Sequence, residues 1–135
     1  MSDGVATMVQ LLHESAAVTG LVPAGSIGAG VLPLGTPLPY LSLSLVSSSD
    51  MNMPAPGAKR RVLDRVQVTI AAATYDELRE ISKAVKSAGA DQVPDVDGIS
   101  QVTVHSLGAG PDFMDETASI YLGSRDFRVW YNEVR

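Results

Sequence analysis

The stretch Arg65–Gly89, RVQVTIAAATYDELREISKAVKSAG, changes its hydrophobic period partway along. Val66, Val68 and Ile70 alternate with Arg65, Gln67 and Thr69, the two-residue repeat of a strand with one buried and one polar face. After Thr74 the apolar positions fall at Leu78, Ile81, Val85 and Ala88, which is helical spacing. Thr74 and Glu77 are spaced as a capping box, and Gly89 is placed to end the helix. Asp76, Arg79, Glu80, Lys83 and Lys86 cover the other side with mixed charge, which reads as a solvated face. A strand that runs directly into an amphipathic helix predicts a helix lying on a sheet, and so an α+β domain.

Toward the N-terminus, Leu41, Leu43 and Leu45 in YLSLSLV alternate with Ser42 and Ser44, giving a second strand. Between the two strands lies SSSDMNMPAPGAKR, and residues 47–61 read as a long flexible hairpin loop. Met51 and Met53 are soft, adaptable contacts, and with Lys59, Arg60 and Arg61 they suit a partner surface. A disordered hairpin tip is the other reading of the same residues. The glycines of GSIGAG lack the G-x-G-x-x-G order, and neither a lysine nor a helix start follows them, so they read as turns and not as a phosphate loop. Pro33, Pro37 and Pro39 hold an extended approach to the strand. At the start of the chain Val5, Met8, Val9, Leu12 and Ala16 share one helical face, with Asp3 as a possible cap and Gly20 as a possible end.

Beyond the second helix, Asp95, Asp97 and Gly98 echo a fragment of a calcium loop but lack its remaining oxygen ligands. ISQVTVHSL reads as a strand, and GAGPDFMDE as an exposed loop whose Asp112, Asp115 and Glu116 are solvated charge. TASIYLGSRDFRVWY reads as a hairpin that turns at Gly123–Ser124, with Ala118, Ile120 and Leu122 on one side of its first arm. In the second arm Phe127, Val129 and Tyr131 point to the core, while Arg128, Trp130 and Asn132 point away. A tryptophan among polar groups suits an interface, or else it packs under the first helix.

A chain of 135 residues that is 45% hydrophobic and 19% charged is long enough for one self-sufficient core. The expected fold is a single α+β domain over 1–135, a mostly antiparallel sheet with two helices packed on it. The absence of cysteine excludes disulfides and thiolate metal sites. A net charge of −5 argues against sequence-independent nucleic-acid binding, which needs many cations on phosphates. No apolar run is long enough to span a bilayer, and MSDGVATMVQLLHES does not resemble a secretory leader. His13 and His105 stand apart from other ligands and read as surface histidines. With no nucleophile beside a base, no ligand cluster and no cofactor fingerprint, no catalytic residue, metal or cofactor is expected.

The order of these features resembles the tail completion or tail terminator proteins of long-tailed bacteriophages and prophages. The matching stretches are AAVTGLV, PLPYLSLSL, RVQVTIAAATYDELREISKAVKSA and SRDFRVWY, in that order from about Leu11 to Tyr131. The segment VPDVDGISQVTVHSLGAGPDFMDE lies outside these matching stretches and has no role on this reading. The resemblance implies a virion structural protein, made in the host cytoplasm and placed at the tail-neck junction. It implies a homo-oligomeric ring of six that caps the tail tube protein and meets a head-completion (stopper) protein of the connector, with DNA passing through and no membrane partner. On that reading Arg65, Gln67, Arg128 and Trp130 face a neighbouring subunit, and Met51, Met53, Lys59, Arg60 and Arg61 meet the tube or connector. The alternatives are another neck or tube-type ring subunit, and a small cytosolic enzyme that combines His105 with Asp112–Glu116.

Overall fold

The computed structural model describes residues 3–33, 35–51, 57–117 and 119–134. Its elements in order are helix α1 (Asp3–Glu14), helix α2 (Ala16–Leu21), a 3-10 turn (Ala24–Ser26), strands β1 (Ile27–Ala29), β2 (Tyr40–Met51) and β3 (Lys59–Ala72), helix α3 (Tyr75–Gly89), and strands β4 (Ile99–Ala109), β5 (Phe113–Asp115) and β6 (Ile120–Val134). One sheet runs β1-β2-β3-β6-β4, with β5 also paired to β6. The α+β class holds. The sheet is mixed, because β1 runs parallel to β2 while every other pair is antiparallel.

The period-two pattern sorts the side chains onto two faces. Leu41 and Leu43 on β2, Val62, Val66, Val68 and Ile70 on β3, Val104 on β4, and Phe127, Val129 and Tyr131 on β6 are all buried in one core. The three α-helices close that face with Val5, Met8, Leu12, Val18, Leu78, Ile81 and Val85. At about 1.5–3 kcal/mol for each fully buried aliphatic or aromatic side chain, this face supplies the main drive to fold.

Several sequence expectations need correction. The first helix breaks at Ser15, which leaves helical geometry to cap α2 by accepting from the Val18 N–H, and α2 runs through Gly20 to Leu21. α3 does end at Gly89, as its last helical residue, with Ala90 in extended geometry as the cap. What Gly89 supplies is close approach, since a Cβ there would lie 2.5 Å from Phe127 Cε1. Thr74 does cap α3, accepting from the Glu77 N–H at 3.2 Å.

Residues 47–51 and 59–61, expected in a flexible loop, are paired strand: Ser47 faces Arg65 and Met51 faces Arg61. A register shift between Leu45 and Ser47 carries the pairing on past the serines but reverses the parity, so that Leu45 lies opposite buried Val66 whereas Ser47 lies opposite exposed Arg65, and β2 is exposed from Ser44 onward. Met53 and Ala118 lie outside the described residues. The expected turn at Gly123–Ser124 is absent, because both residues pair with β3, opposite Ile70 and Thr69. A long uninterrupted partner overrides the local turn signal there, and a Gly123 Cβ would sit 3.2 Å from Leu78 of α3. The hairpin forms one segment earlier, where Phe113–Asp115 of the supposed loop pairs with Ile120–Leu122.

Candidate functional site

Among the described residues, no helix covers the second face of the sheet. Its cross-strand rows are read directly from the register. Ser47, Arg65, Arg128 and His105 form one row, Ser49, Leu63, Trp130 and Thr103 the next, and Met51, Arg61, Asn132 and Ser100 a third. From Arg61 to Thr69 no side chain of β3 on this face is buried. Trp130 therefore does not pack under the first helix. It is half-buried on the open face, with the Arg61 guanidinium 5.5 Å from its ring centroid.

The two sets of residues picked from sequence thus meet. Arg61, assigned to a loop, is held by the Gln101 carbonyl at 2.8 Å and Asn132 Oδ1 at 3.3 Å, and it covers the tryptophan assigned to a subunit contact. Arg65 and Arg128 stand directly opposite each other, and Gln67 lies half-buried along the same face. Met51 ends β2 on this side. Lys59 reaches Ser100 Oγ at 3.5 Å, whereas Arg60 points to the helix side and pairs loosely with Glu133 at 3.9 Å.

The charges of the central row are unevenly matched. Asp126 binds Arg65 through both Nη2 and Nε, the latter at 3.2 Å. Asp91 binds His105 at 3.1 Å. Arg128 is exposed between them and has no hydrogen bond or ion pair among the described residues. Like charges directly opposite on a sheet are unfavourable, and among the described residues no carboxylate forms an ion pair with this one. Beside it lies a cavity of about 190 Å³ lined by Ser47, Ser49, Leu63, Arg65, Leu107 and Arg128. Leu107 shares the parity of His105 and lies at the register shift between Ser106 and Gly108.

The helix side, in contrast, buries one acid. Asp64 is fully buried and accepts from the Gly4 N–H at 3.0 Å, Tyr131 Oη at 3.0 Å and Ser48 Oγ. Its carboxylate ties the first turn of α1 to three strands, where a negative charge is favoured at a helix start. Burial, and then the Asp64 carboxylate, pushes the Tyr131 phenol well above its ordinary range. This knot was missed in the sequence reading, although Asp64 shares the parity of Val62 and Val66, which marks a carboxylate on a buried face.

His105 and the Asp112–Glu116 segment are not brought together. His105 faces Arg128, whereas Phe113 faces Leu122. Asp112 instead accepts from Tyr75 Oη at 3.1 Å. Among the described residues no group of three or more acidic or histidine side chains is arranged to hold a metal ion.

Known proteins place this architecture. The family model described as Tail completion protein gp17 matches residues 6–132. No curated protein matches the chain. A solved structure, the virion of a native gene transfer agent (GTA) particle, contains a chain with the same fold. The TM-score is 0.71 at 19% sequence identity, over 97% of this chain and 99% of that one. An α+β sheet with helices on one face and an open, cationic second face is thus matched along nearly its whole length by one family model, and the chain belongs to the phage tail completion protein gp17 family, as a structural protein of the tail.

Proposed function

We propose that this protein is a tail terminator: its copies join into a ring of six that caps the tail tube and joins it to the head-completion protein of the connector, at the tail-neck junction. The observation that carries the reading is the open sheet face. A half-buried tryptophan under an arginine, beside exposed Arg128, is the composition of an interface core and is unusual for a surface left to water. Arg65, Gln67, Arg128 and Trp130 face the neighbouring subunit. Met51, Lys59, Arg60 and Arg61, at the far end of the β2–β3 hairpin, lie toward the tube or connector.

The test is to remove the gene from its phage and image the particles. A terminator's loss gives tail tubes of uncontrolled length and unjoined heads, and both defects are repaired by supplying the protein in trans. Tubes of normal length that merely lack heads would instead indicate a different neck subunit.

A further inference from the structure

The segment Asp112–Glu116 has no role in the reading above, yet its surface is distinctive. Phe113 is 59% and Met114 44% exposed, and both sit among the carboxylates of Asp112, Asp115 and Glu116. The cavity beside Arg128 is its complement, with guanidinium and hydroxyl groups on its polar walls and Leu63 and Leu107 as its apolar lining. We propose that the acidic, apolar β5 segment of one copy docks in the Arg128 cavity of the next, and that this contact joins neighbouring subunits. The inference rests on the ring reading and specifies which surfaces make it.

Three observations carry the proposal. First, Arg128 has no ion pair among the described residues, and an acid from outside relieves its opposition to Arg65. Second, the segment cannot reach the cavity of its own copy. β5 pairs β6 at Leu122, and Arg128 is six residues further on, roughly 20 Å at about 3.3 Å per residue. Third, the two surfaces differ, so the contact is head-to-tail, the kind that closes into a ring when the rotation permits. A nucleic-acid strand is the less suitable occupant. Leu63 and Leu107 in the cavity wall offer nothing to a polyanion, and the net charge of −5 opposes one.

The experiment is a charge swap on the full chain, read by light scattering across concentration, alone and with tail tubes. Arg128→Glu and the pair Asp112→Lys, Glu116→Lys are each expected to raise the concentration needed for assembly about tenfold or more. Combining all three substitutions is expected to recover most of that loss. Circular dichroism of each variant checks that it is folded, and the two single-sided variants guard against either one failing. If the wild-type protein assembles and Arg128→Glu assembles equally well, the docking contact is wrong while the ring survives. A loss that the combined variant does not recover also overturns the contact. Wild-type protein that stays monomeric even on tubes overturns the ring reading and this inference with it.

Discussion

The two faces of the sheet treat charge in opposite ways. On the helix side one carboxylate, Asp64, is fully buried, and three donors from α1, β2 and β6 surround it. On the open side the cations outnumber their partners: among the described residues Lys59, Arg61 and Arg128 have no ion pair. A buried charge without partners costs several kcal/mol, so a chain that folds must satisfy it internally. An exposed charge costs little, so it can wait for a partner. Folding stability should therefore be concentrated on one face and assembly on the other.

The most severe way to break the contrast is Asp64→Ala. It leaves the buried Gly4 N–H and Tyr131 hydroxyl without an acceptor and frees the exposed Ser48 hydroxyl to water, and is expected to cost about 3 kcal/mol in denaturant unfolding. Gly89→Ala forces a methyl group onto the Phe127 ring and should cost about 2 kcal/mol by the same measurement. Tyr131→Phe should cost about 1 kcal/mol at neutral pH and add a pH signature. The raised phenol pKa favours the neutral form in the fold, so its contribution is complete below the ordinary value of about 10 and is lost as pH rises above it. The phenylalanine variant should therefore lose less stability between pH 9 and 11 than the parent. Arg128→Ala sharpens the comparison from the other side. It is expected to change stability by no more than about 0.5 kcal/mol, toward greater stability if anything, because it removes a like-charge pair.

Elements whose signal is local were legible in the sequence. The alternation of Val66, Val68 and Ile70, the Thr74 cap and the inward set Phe127, Val129 and Tyr131 all stand as read. What escaped depended on distant partners. β1 is three residues long and parallel to β2, with no hairpin to announce it. Gly123 carries a turn signal that means nothing once β3 runs beside it. The candidate face was half legible. Trp130 and Arg128 were picked out by chemistry, but the stacking of Arg61 and the cavity with Leu63 and Leu107 follow from register, which no single stretch encodes.

The order of strands also sets the time course of folding. β2 and β3 are neighbours in sequence and close a short loop, so their pairing can form early. β3 must then wait for β6, whose pairs run from Ala72↔Tyr121 to Lys59↔Val134, all of high sequence separation. During that delay β3 presents a long unsatisfied edge to the solvent. A β6 from another molecule competes for it on equal terms, so dilution during refolding should favour the correct monomer over exchanged and aggregated chains.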